Sequence, residues 1–151
     1  MLTGLTHTHS FLRWVILILL VVSLLKAFQG RSRGGEFHLK DGKFFMLTMV
    51  ATHIQVLIGL ILYFISPKVE AALNYDGGMM KNAVHRFWGM EHAFGMIVAI
   101  VLITIGYSSS KKITDTVKRY SKVAWFYLIA FLIIIITIPW PFRHVGIDSF
   151  F

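Results

Sequence analysis

The sequence predicts an all-α membrane protein: four transmembrane helices in an up-down-up-down bundle, a single domain over residues 1–151, with both termini on the outer side. Composition points there first, because 56% of the 151 residues are hydrophobic and the mean hydropathy is +0.70, well beyond what one soluble core requires. Next come four apolar stretches, residues 9–28, 44–66, 87–107 and 123–139, each close to the roughly 20 residues that cross about 30 Å of hydrocarbon. The third observation is the uneven placement of Lys and Arg around those stretches, which sets the orientation.

Taken in order, the first stretch follows MLTGLTHTHS. That lead-in has neither the basic start nor the small-residue cleavage site of a signal peptide, so the stretch is expected to persist as a helix. The second carries His53 and Gln55, the third opens on Glu91-His92, and the fourth ends at Ile138-Pro139-Trp140-Pro141-Phe142-Arg143, a helix stop with interfacial anchors. Connections at 29–43, 67–86 and 108–122 are short enough to make successive helices antiparallel neighbours. The longest, 67–86, is expected to hold a short interfacial helix at 69–74 and to be a docking surface for a partner.

Ten basic residues fall on one side: Lys26, Arg31, Arg33, Lys40, Lys43, Lys111, Lys112, Lys118, Arg119 and Lys122. Five fall on the other: Arg13, Lys68, Lys81, Arg86 and Arg143. Positive loops stay cytoplasmic, which puts the termini and the 67–86 loop outside. Trp14, Trp88 and Trp140 then mark the outer boundary and Trp125 the inner one, as an aromatic belt does. The formal charge of +8 belongs to membrane anchoring and topology, not to nucleic-acid binding. The expected partner is the lipid bilayer, and the location a bacterial inner membrane crossed several times.

With no cysteine in the chain, disulfides, iron–sulfur clusters and covalently attached haem are excluded, and imidazole becomes the foremost ligand for a metal or a haem. Three histidines lie in or against the apolar stretches, where ionisable groups are costly and mark function by default. His92 sits about 7 to 8 Å inside its segment by the 1.5 Å rise per residue. Gly95 and Met96 share its face, and the glycine admits either a flat macrocycle or a neighbouring helix. His53 lies near the midplane, either as an axial ligand, as a proton or quinone contact, or as an interhelical hydrogen bond. His9 stands at the outer interface with Arg13 one turn on, where a guanidinium suits a haem propionate. The functional reading is thus two of His92, His9 and His53 as haem-iron ligands. The plain alternative is that these side chains only lock helices together in a cofactor-free accessory subunit. A further alternative is an outer copper or other metal site from His7, His9, His85 and His144.

His9-Ser-Phe-Leu and His92-Ala-Phe-Gly form a faint repeat 83 residues apart. A pseudo-twofold relation between the two helical hairpins puts both histidines at equivalent depth on opposing helices. His85 precedes His92 by seven residues and shares its face if the helix starts early; a second haem is argued against by the absence of ligand residues in 123–139. No hydrolase constellation, phosphate loop or nucleotide fingerprint is present, and Glu91 has no second carboxylate to form a proton-pumping pair.

Four short pieces, His9-Ser-Phe-Leu-Arg13-Trp14, His53-Ile-Gln55 with Gly59-Leu-Ile-Leu-Tyr63, Glu91-His92-Ala-Phe-Gly-Met96 and Pro139-Trp140-Pro141-Phe142-Arg143, make the chain resemble the small four-helix bacterial membrane proteins labelled b-type cytochromes. The resemblance implies non-covalent haem b between helices and electron transfer, as a carrier or a subunit of an oxidoreductase complex, not an independent enzyme. On that reading the chain serves a quinol pool and an outer acceptor within a larger respiratory complex, with quinone as a second cofactor candidate beside haem b.

Overall fold

The computed structural model describes residues 2–143, whose regular structure is all helix, with no strand among the described residues. Helix α1 covers Leu2–Arg33, α2 Leu39–Ile65, α3 Pro67–Leu73, α4 Ala83–Arg86, α5 His92–Ser110 and α6 Thr116–Thr137. A single wide π turn, Phe87–Glu91, joins α4 to α5, so that Ala83–Ser110 is one continuous span. Among the described residues four helices are long and apolar enough to cross a membrane: α1, α2, Ala83–Ser110 and α6. Each begins before the apolar stretch that marks it in the sequence; α1 and Ala83–Ser110 also end beyond it, whereas α2 and α6 stop one and two residues short of its end. At 32 residues α1 is about 48 Å long, enough for the headgroup layers as well as the hydrocarbon core.

Helix ends are placed by local chemistry. Gly34 and Gly35 stop α1 with φ of 65° and 74°, a left-handed conformation that glycine adopts without a Cβ penalty. Ser66 stops α2 because it precedes Pro67 and is held extended, at φ −82° and ψ 124°. Pro67 in turn starts α3, a position where its missing N–H is not needed. The short helix expected at 69–74 thus exists, at Pro67–Leu73. Asp115 caps α6, its Oδ1 accepting from the Lys118 N–H at 2.7 Å.

The four spans form a ring in which α1 packs on α2 and α6, and α5 packs on α2 and α6. The closest approach is between α5 and α6. A Cβ on Gly106 would lie 2.6 Å from Phe126 Cβ, and one on Gly95 would collide with Thr137 Cγ2. Small residues bring membrane helices together in this way, because packing, not water exclusion, drives their association. Leu20, Ala27, Ile103, Val123, Ala124, Tyr127 and Ala130 fill the centre.

Several buried polar groups are paired across helices. Ser23 and Thr48 share a 2.8 Å hydrogen bond, and Tyr127 donates to the Phe45 carbonyl at 2.8 Å. At the end where α1 stops and α2 starts, Asp41 accepts from Lys26 Nζ at 2.9 Å and from the Tyr120 hydroxyl at 2.8 Å. That hydroxyl accepts the His38 N–H. Gly30 makes room for the Tyr120 ring, which a Cβ there would strike.

Candidate functional site

At the opposite end the ring opens into a cavity of about 410 Å³, within the range of about 300–1,000 Å³ typical of ligand and cofactor sites. It gathers the first half of α1, the second half of α2, the start of α3, Trp88 of the π turn, the start of α5 and the end of α6. Most of its wall is apolar. The polar exceptions carry the chemistry: His9, Arg13, Gln55, Tyr63, Lys68 and His92 all line it.

His92 enters from α5 and is anchored from behind. Its Nδ1 lies 2.8 Å from the Thr137 carbonyl oxygen. A carbonyl can only accept, so Nδ1 carries the proton and Nε2 of the neutral ring keeps its lone pair. Fixing one nitrogen on a backbone carbonyl is how proteins orient a ligand histidine and raise its basicity. The Phe87 and Trp88 rings flank the imidazole at 5.8 and 6.1 Å between centroids. The glycine at 95 serves helix approach, the second of the two roles expected for it, while Met96 faces the cavity.

His9 enters from α1, which faces α5 across the ring. Its Nδ1 is buried without a hydrogen-bond partner, a state that costs about 1–3 kcal/mol unless a ligand relieves it. Its ring lies on Gly59 of α2, where a Cβ would come within 3.1 Å of His9 Cε1. Gln55 Nε2 donates to the His9 carbonyl at 2.9 Å, and Gln55 Oε1 is buried without a partner. Both His92 and Arg13 lie within electrostatic reach of His9.

The wide turn before His92 explains part of this arrangement. Within it the His92 N–H bonds back five residues to the Phe87 carbonyl, and Arg86 Nε reaches Glu91, also five residues on, at 2.6 Å. The Gly89 carbonyl accepts from the Tyr63 hydroxyl at 2.6 Å, tying α2 to the turn. Such turns shift helix register and recur at functional sites. Here the shift separates His85 from His92: His85 stacks on Tyr75, centroids 4.3 Å apart, and does not line the cavity. The shared face that seven-residue spacing suggests is therefore not realised.

His53 is not brought to the cavity. Its Nδ1 contacts the Met49 carbonyl in its own helix at 2.8 Å, and its Nε2 lies 3.5 Å from Thr104 Oγ1 on α5. Of the four residues expected at the site, the structure gathers His9, Arg13 and His92 around one space and leaves His53 outside it. Among the described residues no three His, Cys, Asp or Glu side chains form a metal-binding group. His7, His9 and His85, the described members of the outer metal set, thus do not form such a group, and His144 lies outside the described residues. Glu91 is paired with Arg86.

Sequence reasoning missed Gly59, Tyr63, Lys68 and Trp88 as cavity residues. For α2 the signal was present, since Thr52, Gln55, Val56, Gly59 and Tyr63 recur at helical spacing and form one face. For Lys68 and Trp88 there was none, because their approach depends on how the connection folds back. No protein-family model matches the chain, and comparisons with curated proteins and with solved structures give no match.

Proposed function

We propose that this protein is a membrane b-type cytochrome that holds haem b in the cavity, with His9 and His92 as axial ligands, and passes single electrons. The observation that carries this is the convergence of two histidines, from helices on opposite sides of the ring, on one mainly apolar cavity with Arg13 beside them. The donor set fits the group. His92 keeps Nε2 available, His9 has a buried nitrogen without a partner, and Gly59 leaves its helix surface bare beneath the His9 ring. Arg13 is suited to a propionate by its planar, permanently charged fork. Haem b held by His9 and His92 would supply a one-electron iron couple, and ligation by two imidazoles would favour electron transfer over substrate activation.

On this reading α1, α2, Ala83–Ser110 and α6 run up-down-up-down in a bacterial inner membrane. Both termini and the cavity lie on the outer side, and the two basic connections on the cytoplasmic side. The chain carries electrons between a quinol pool and an outer acceptor, within a larger respiratory complex. The test is the haem content of protein purified from haem-replete cells, measured as the pyridine haemochrome. The expected result is one haem b per chain; a folded, colourless protein overturns the reading.

The competing reading is a cofactor-free subunit. It is favoured by the interhelical bonds from Gln55, Tyr63 and His92 to backbone carbonyls. It predicts that colourless protein and that loss of His92 affects assembly alone.

A further inference from the structure

His53 and Thr104, which stand outside the cavity, meet on the seam between α2 and α5, and both side chains are half-buried. The Met49 carbonyl, 2.8 Å from His53 Nδ1, can only accept, so Nδ1 carries the ring proton and Nε2 keeps a lone pair. The Thr104 hydroxyl commits its one hydrogen to the Ile100 carbonyl at 2.7 Å. His53 Nε2 and Thr104 Oγ1, 3.5 Å apart, therefore face each other as two acceptors without a hydrogen between them. The side chains along the seam supply none. Val101, one turn from Thr104, and Leu60 and Ile97, seven residues from His53 and Thr104, are exposed hydrophobic residues. In a spanning bundle that surface faces lipid, where no water stands in for a missing partner. Leu60 and Ile97 also line the cavity, so the acceptor pair lies about 10 Å along the helices from the cavity wall.

We propose that this seam binds a quinol, one ring hydroxyl donating to His53 Nε2 with Thr104 Oγ1 as the second acceptor. The proposal names where the quinol pool meets the chain, and it rests on that part of the proposed function. His53 lies in the middle of α2, at a depth where phospholipid acyl chains carry no donor. A lipid-soluble hydroxyl compound does, and its ring and alkyl tail match the apolar side chains around the pair. The pair also selects a redox form. A quinol brings the hydrogen that two acceptors lack, whereas the oxidised quinone presents only carbonyl oxygens, which the pair repels.

The experiment photolabels the protein in lipid nanodiscs, under anaerobic reducing conditions, with a fully substituted benzoquinol bearing a diazirine on its tail beside the ring. Adducts mapped by mass spectrometry should fall on α2 and α5 around residues 53 and 104. Decyl benzoquinol should displace the label about tenfold more effectively than its dimethyl ether, which cannot donate. His53→Phe should weaken that displacement about tenfold, His53→Gln, which keeps an acceptor oxygen, should recover most of it, and Thr104→Val should cost a smaller factor. Circular dichroism at the wild-type level shows that the variants fold. Equal displacement by quinol and ether, quinol displacement unchanged in both His53→Phe and Thr104→Val, or adducts confined to the cavity wall overturns the site. An intermolecular disulfide formed by Val101→Cys in native membranes also overturns it, because a second copy then covers the seam. Haem content is read separately. A colourless protein that labels as expected overturns the cytochrome and keeps the quinol site, whereas full haem without quinol-specific labelling does the reverse.

Discussion

His92 Nδ1 and the Thr137 carbonyl oxygen are 2.8 Å apart, and Gly95, one turn beyond His92, is what brings their helices that close. A side chain at 95 would collide with Thr137 Cγ2. The same approach that packs α5 on α6 therefore also fixes the orientation and proton position of the imidazole.

Gly95→Ala should push the two helices apart, at the 1–3 kcal/mol or so typical of overpacking, and loosen His92 from its anchor. The expected result is a lower midpoint of thermal unfolding in detergent together with reduced haem retention. An unchanged midpoint would mean that α5 and α6 do not meet through Gly95.

Gly59→Leu fills the space against the His9 ring, where even a Cβ would sit 3.1 Å from Cε1. The added side chain has to displace the His9 ring from the surface of α2. Haem content should fall sharply while helix content by circular dichroism stays at the wild-type level. A variant with full haem content would place the ligand elsewhere.

Tyr120→Phe should destabilise the opposite end of the bundle by about 1–3 kcal/mol, because it leaves Asp41 Oδ2 and the His38 N–H each short of a partner. Lys26→Met should cost less, about 0–1 kcal/mol, since that ion pair is partly exposed and solvent-screened. Unfolding in mixed micelles measures both, and neither change should alter haem content. Reversal of the order would mean that the ion pair, not the hydroxyl, secures this end.

Orientation can be tested with thiols, because the chain has no native cysteine. In intact spheroplasts an impermeant maleimide should label Asp76→Cys, between α3 and α4, and should reach Ser109→Cys, at the end of α5, only after permeabilisation. The opposite pattern would turn the proposed topology over.

Much of this was legible in the sequence because hydropathy alone marks a span in lipid. Four apolar runs became four helices long and apolar enough to span, all starting earlier than the runs because a helix continues where hydropathy no longer reports it, while α2 and α6 stop one and two residues before their runs end. His9, Arg13 and His92 stood out since each is costly near or within an apolar run. The rest was decided by register and approach. One wide turn moved His85 away from the face of His92. A hundred degrees of helix per residue decides whether a side chain meets the cavity, and His53 points to Thr104 while Gln55, two residues on, meets His9. Lys68 reaches the cavity through a fold of the connection that no periodicity encodes.

The most direct test of the account is the dithionite-reduced minus air-oxidised visible spectrum of the purified wild type beside His9→Ala, His92→Ala and His53→Ala. The account predicts a sharp b-type α band in wild type and His53→Ala that is lost in both His9→Ala and His92→Ala. A band that survives loss of either cavity histidine, or disappears with His53, would contradict the ligand pair, and a featureless wild-type spectrum would contradict the cytochrome itself.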